Sequence, residues 1–184
     1  MFFPSPARQI RIVQLPPATL SALADGDLEA ANRESPVPLT TIFLESDWRR
    51  TWRYRAVQVV DDPSSAAWIT GAIWDPEIEV AVGRAGFHGP PDEDGMVEIG
   101  YAVDPAYRRR GYARAAVAAM LERAAGDPAI RVVRATVSPG NEASLGLIAQ
   151  FGFARVGDQW DDDDGLEIVH EVPAKRPTGG SGSS

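Results

Sequence analysis

The 184-residue chain contains no cysteine. Disulfides, thiolate nucleophiles and cysteine-ligated zinc are therefore excluded. Its two histidines, His88 and His170, are too few for a histidine-rich metal cluster, so no metal is expected. Lys175 is the one lysine among 18 basic residues, an arginine bias that genome composition explains as readily as function. No apolar run approaches the roughly 20 residues that a spanning helix requires. The opening Met1-Phe2-Phe3-Pro4-Ser5-Pro6 lacks the basic region and long apolar segment of a secretory signal. The expectation is a cytoplasmic protein with no membrane partner.

What is present is the balance of a globular protein, with 44% hydrophobic and 24% charged residues. The length suits one compact domain, expected over residues 1–173, with 174–184 as a Gly/Ser-rich disordered tail. The net charge is −8, with acid gathered at Asp92-Glu93-Asp94 and Asp161 to Asp164. Nucleic-acid partners, which call for a basic face, are not expected. The arginine triplet in "VDPAYRRRGYARAA", residues 103–116, is then a local device.

Patterning predicts a first strand at Ile10–Leu15 and helical stretches over Ala18–Ala24 and Thr41–Val60. Strands are predicted at Ala67–Trp74, Glu79–His88 and Met96–Val103, with turns at Asp75-Pro76 and Gly89–Gly95. Gly111–Ala125 carries Ala113, Ala116, Val117, Met120, Leu121 and Ala124 on one helical face. A valine-rich strand follows at Arg131–Val137. Asn141 then reads as the N-cap of a short helix, with Gly152 as its C′ residue. Ala154–Trp160 and Leu166–Val172 complete a hairpin around the Asp161–Gly165 loop.

A strand that runs into a glycine turn opening a helix aims backbone N–H groups at whatever lies above the helix start, which favours an anion. Gly111 admits close approach of a ligand, and Arg108, Arg109 and Arg110 can add charge-assisted hydrogen bonds to phosphate oxygens. Walker A and Rossmann fingerprints are both missing. A solvated arginine cluster on a surface turn is the competing reading.

The run Arg108-Arg109-Arg110-Gly111-Tyr112-Ala113 matches the Arg/Gln-x-x-Gly-x-Gly/Ala signature of the GNAT superfamily of N-acetyltransferases. It is preceded by "GYAVDPAYR" and set in the order "VEIGYAV", signature loop, long helix, "VRATVSP" and "NEASLGLIAQFGF". From about Arg8 to Val172 the chain resembles that superfamily, especially its branch of ribosomal-protein and peptide α-amine acetyltransferases, which "AVGRAGFHG" also fits. The resemblance implies an α/β (α+β) fold, with a mixed central sheet of six or seven strands flanked by about four helices. It implies acetyl-CoA as cosubstrate and an amine acceptor, either a protein or peptide N-terminus or a small molecule. Tyr101, Ala102 and Val103 would pair with pantetheine through backbone atoms. Arg108 to Ala113 would cradle the pyrophosphate, and Asn141 would contact the coenzyme or serve as a plain N-cap. A homodimer is compatible with this reading. An acyl-CoA-binding sensor or partner module of the same fold is the alternative.

Acetyl transfer to an amine requires a neutral nucleophile, a stabilised oxyanion and a proton for the departing thiolate. Strand alternation puts Glu98, Gly100 and Ala102 on one face, and Glu98 matches the position where many GNAT enzymes carry a glutamate base. A surface glutamate is the plain alternative. The resemblance assigns the oxyanion to a backbone N–H near Tyr101. Where many relatives place a proton-donating tyrosine, this chain has Ile148, which leaves Ser144 as the nearest hydroxyl and Tyr101 and Tyr112 as fallbacks. Ser144 is equally readable as a first-turn helix serine. His88 fits a proton relay or a structural role. Trp48, Trp52 and Tyr54 fit an acceptor groove or, more simply, the core. The Asp161 to Asp164 run fits recruitment of a cation or a solvated turn.

Overall fold

The computed structural model describes residues 8–162 and 165–175. Two members of the acidic run, Asp163 and Asp164, and the tail from Arg176 onward lie outside the described residues. Among the described residues strand pairing follows the order β1-β2-β3-β4-β5-β7-β6, seven strands accompanied by five α-helices. The chain divides into two compact units, one formed by the chain up to Pro90 with Ile99–Met120, the other by Pro91–Glu98 and the chain from Leu121 onward.

In the first unit, β1 (Arg11–Val13), β2 (Gly71–Asp75), β3 (Val80–Phe87) and the second half of β4 (Met96–Val103) pair antiparallel in sequence order. The helix α1 (Pro17–Asp25) opens on Pro17, whose missing N–H costs nothing at a helix start, and ends at Gly26 with φ 83°. A second helix, α2 (Leu28–Glu34), was not expected. Its start is set by Asp27, whose side chain accepts the Ala30 N–H at 2.8 Å.

The helical stretch expected over Thr41–Val60 divides in two, a 3-10 turn at Thr41–Leu44 and then α3 (Ser46–Asp61). On α3 the buried residues are Trp48, Trp52, Arg55 and Val59, spaced at four, three and four, which makes one stripe on an otherwise polar, arginine-rich helix. Trp52 is fully buried, stacks on Phe43 with centroids 5.8 Å apart, and donates its indole N–H to the Phe43 carbonyl at 2.9 Å. Trp48 meets the same ring edge-on at 5.1 Å. These two tryptophans therefore belong to the core, whereas Tyr54 stands 66% exposed. The strand expected from Ala67 starts later, at Gly71, because Pro63–Ala67 forms a 3-10 turn capped by Asp62.

In the second unit, Met96–Glu98 of β4 pairs parallel with Val132–Arg134 of β5 (Val132–Val137). β5 pairs antiparallel with β7 (Gly165–Pro173), and β7 with β6 (Ala154–Asp161). The β6 strand pairs only with β7 among the described residues and is exposed along nearly its whole length. A register shift between Arg155 and Gly157 bulges it, and Arg155 bonds Asp158 at 2.7 Å. The helix α5 (Glu142–Ala149) ends on Gln150, so Gly152, with φ 85°, falls one place beyond the expected C′ position. Ala174, expected to open the tail, is buried and donates its N–H to the Arg131 carbonyl at 2.9 Å.

The fourth helix, α4 (Tyr112–Gly126), has its first part in the first unit and its end in the second. Its buried positions are Tyr112, Ala116, Val117, Met120 and Ala124, so Tyr112 joins the face read from the sequence while Ala113 and Leu121 are only half-buried.

Candidate active site

The turn between β4 and α4 lies wholly in the first unit. Pro105–Tyr107 forms a 3-10 turn held by Asp104, whose side chain accepts the Ala106 N–H at 2.8 Å. Two residues that follow adopt left-handed backbone, Arg109 at φ 60° and Gly111 at φ 86°. For arginine this conformation costs about 1 kcal/mol, a strain typical of functional turns. At Gly111 no atom lies within 4 Å of where a Cβ would stand, so it is backbone conformation rather than crowding that requires glycine. The Gly111 carbonyl accepts the Ala115 N–H at 3.0 Å and so opens α4. The first turn of α4 holds no acidic residue, so its positive dipole end is not offset by a carboxylate.

Side chains fasten this turn to the sheet. Tyr112 is buried and donates its hydroxyl to Asp75 Oδ2 at 2.7 Å, and Arg8 reaches the same oxygen at 3.2 Å while lying over the Tyr112 ring at 4.8 Å. Tyr107 meets Tyr112 edge-on at 6.2 Å, and Arg110 lies over Tyr107 at 5.4 Å. Burial, and then the bond to Asp75, push the Tyr112 hydroxyl up to about 12. Burial also raises Asp75, but hydrogen bonds from Tyr112, Glu77 and Ile78, with Arg8 beside it, outweigh that and hold it below its ordinary value. The Tyr112 proton is thus committed to Asp75, which leaves the residue its backbone N–H to offer a ligand. Arg108, Arg109 and Arg110 are exposed, as is Gly111, whereas Ala113 is half-buried.

On β4, Asp104 donates its N–H to the Val82 carbonyl at 2.9 Å. Alternation along an antiparallel ladder then turns the backbone groups of Ala102 toward its register partner Arg84, and those of Tyr101 and Val103 away from β3. Ala102 therefore does not share the backbone role expected for its two neighbours. The Val103 carbonyl already accepts Arg108 Nε at 3.2 Å, which ties the arginine turn to the strand end.

The other expected residues lie in the second unit. Glu98 is half-buried on β4, in register with Arg134 of β5. Asn141 caps α5, its side chain accepting the Ser144 N–H at 3.1 Å, and Ser144 is half-buried in the first turn. Ile148 is 1% exposed in the core. Among the described residues no group of three or more His, Asp or Glu is placed to hold a metal ion, and no helix is long and apolar enough to cross a membrane.

The sequence reading passed over a second feature of the first unit. Arg84 on β3 sits over the Trp48 ring at 5.4 Å, and its Nε is shut off from solvent with no hydrogen-bond partner. Arg55 is buried, donating to Thr70 Oγ1 at 3.2 Å and to the His88 carbonyl at 3.1 Å. His88 Nε2 lies so close over Gly100 that a Cβ there would come within 2.9 Å of it. Burial, with Arg55 and Arg84 adding to it, lowers the His88 ring to about 4. The ring is therefore neutral at pH 7, although the residue as a whole is exposed. Four arginines in the first ten residues of α3, Arg49, Arg50, Arg53 and Arg55, hide this in the sequence, because most such residues are solvated. The one signal available was the small-residue pattern Gly86, Gly100 and Ala102 around Arg84.

Residues 19–154 match the family described as "Acetyltransferase (GNAT) domain". Over 72 residues the chain is 35% identical to an uncharacterized N-acetyltransferase, YjdG, of Bacillus subtilis, a stretch that covers 39% of this chain and 43% of that relative. Among solved structures, a GNAT-family acetyltransferase from Bacillus anthracis superposes with a TM-score of 0.60 at 18% identity, covering 92% of this chain and 98% of its own. The ribosomal-protein-S5-alanine acetyltransferase of Vibrio fischeri gives 0.62 at 16%, covering 94% and 96%. A dodecameric spermidine N-acetyltransferase of Vibrio cholerae gives 0.61 at 12%, covering 90% and 94%. At these identities the solved structures establish the fold.

Proposed function

Because the chain belongs to the GNAT acetyltransferase family, we propose that it moves the acetyl group of acetyl-CoA onto a primary amine by direct attack. The observation that carries this reading is the Tyr101–Ala113 segment, where a strand ends in an arginine-rich, left-handed turn opening a helix whose first turn is free of acid. Such a turn suits a pyrophosphate, whose oxygens take up the first-turn N–H groups and the guanidinium forks of Arg108, Arg109 and Arg110. The pantetheine arm then runs along Tyr101 and Val103, whose backbone groups face away from β3.

In the reaction the neutral amine nitrogen attacks the thioester carbonyl, the C–S bond breaks, and the proton that the nitrogen sheds on becoming an amide is relayed to the departing thiolate. An acceptor amine with an ordinary pKa near 8 to 10 must first lose a proton, and Glu98 is the base we assign, directly or through water. The Tyr101 N–H faces the developing oxyanion. Asn141 holds the coenzyme from α5 in addition to capping it. Ser144 supplies the proton to the leaving thiolate, the position usually given to tyrosine being Ile148. Residues 1–173 work as one catalytic domain in the cytoplasm, alone or as a homodimer.

The acceptor is an amine of a peptide N-terminus or a small molecule; the similar solved structures include enzymes named for both a protein alanine and spermidine. The test is calorimetric titration with acetyl-CoA followed by thiol release across an amine panel. Micromolar binding with amine-dependent release supports the transferase. Binding without release under any amine indicates an acyl-CoA-binding module instead, and no binding overturns both.

A further inference from the structure

We propose that Arg84 anchors an anionic group, most simply a carboxylate, on the acceptor amine, so that this enzyme selects amino-carboxylates over polyamines. The inference rests on the transferase reading above and narrows its substrate.

A guanidinium partly withdrawn from water ordinarily has a carboxylate partner, because desolvating an uncompensated charge is costly. Arg84 is half-buried, makes no ion pair with any described residue, and its Nε is shut off from solvent with no hydrogen-bond acceptor. What surrounds it is the face of Trp48 and further positive charge, Arg55 and Arg50, with Asp47 on α3 the one carboxylate whose field opposes them. Burial and these neighbours lower its pKa to about 10, so it remains a cation at neutral pH. Positive charge is thus gathered around Arg84, which itself meets no anionic partner among the described residues, within a chain whose overall charge is −8.

Position gives this a functional direction. Arg84 is the register partner of Ala102, between the two β4 residues assigned to the thioester arm, and lies on the same strand face as Gly100 and His88. An acceptor held there by its carboxylate has its amine directed along β4. Arginine is suited to this because its planar fork grips a carboxylate through two hydrogen bonds, whereas a polyamine meets only like charge.

The test pairs each amino acid or dipeptide acceptor with its C-terminal amide, and adds spermidine. Wild type is expected to prefer the free carboxylate by about 10- to 100-fold in kcat/KM, to use spermidine poorly, and to lose the preference in Arg84→Gln through KM while acetyl-CoA affinity stays unchanged. Arg84→Lys should recover part of it. Because a half-buried charge with no anionic partner destabilises, Arg84→Met should fold with an unchanged or higher Tm, which a purely structural arginine would not. Should no acceptor turn over, titration of an N-acetyl amino acid against its amide still decides: binding of the acid that Arg84→Gln abolishes supports the anchor even as the transferase reading fails. Equal use of acid and amide, a preference that survives Arg84→Gln, or spermidine as the favoured acceptor overturns the proposal.

Discussion

The Tyr112 hydroxyl donates to Asp75 Oδ2 at 2.7 Å, with both residues 1% exposed, and so the first residue of α4 is fastened to the end of β2. This bond, rather than any contact with a ligand, explains why a tyrosine follows the glycine of the turn. Removing the hydroxyl leaves a buried carboxylate short of one donor, so Tyr112→Phe should lower stability by about 1 to 3 kcal/mol. Denaturant unfolding checks this, and an unchanged midpoint would show that Arg8 and the turn amides suffice for Asp75.

Gly111 allows two substitutions to separate strain from ligand exclusion. Gly111→Ala places a Cβ where nothing lies within 4 Å, so the left-handed backbone alone is penalised and about 1 kcal/mol of stability is lost. Gly111→Glu sets a carboxylate at the proposed pyrophosphate position and should abolish acetyl-CoA binding in calorimetry. Retained affinity would displace the coenzyme from this turn.

For the base, Glu98→Gln should reduce kcat by about 100-fold or more while acetyl-CoA affinity changes little. A kcat left near the wild-type value would remove Glu98 from the role.

His88 predicts a pH dependence of stability. The unfolded histidine takes a proton near 6.5, whereas the folded one, desolvated and beside Arg55 and Arg84, does so only at about 4. Between these values the unfolded state binds more protons, so stability present above about 6.5 is lost as pH falls toward 4. The exposure of the residue dampens the effect. Unfolding at pH 7 and pH 5 should show a smaller decline in His88→Asn than in wild type, and the ring-proton NMR midpoint should fall well below 6.5.

Legibility in the sequence followed how local the cause was. β4 was readable to the residue at Met96–Val103, because alternation, a preceding acidic turn and Pro105 mark it within a few positions. The Asn141 cap was equally local, and its bond to the Ser144 N–H bears it out. By contrast α2 buries only Ala31 and is too short for a periodic signal, although Asp27 with Glu29 in the first turn is a cap that could have been weighed. The core reading of the aromatics holds for Trp48 and Trp52 and fails for Tyr54, because the helical stripe that buries the first two against Phe43 leaves Tyr54 outside it. For the candidate site, the arginine turn could be read directly, but the selective backbone orientation of Tyr101 and Val103 over Ala102 depends on β3, some 20 residues earlier in the chain. Arg84 was missed for the same reason: its significance lies in what it fails to meet, and no pattern along one strand reveals an absent partner.

The bulged, charge-flecked β6 strand has a consequence for handling the protein. A lone outer strand carrying Val156 and Trp160 in the open is an invitation for a second chain to continue the ladder and begin a fibril. The kink between Arg155 and Gly157 breaks the straight rail that such growth needs, and the Arg155–Asp158 pair puts charge where an incoming strand would lie. Straightening that kink by deleting Val156 would be expected to lower the concentration at which the protein precipitates.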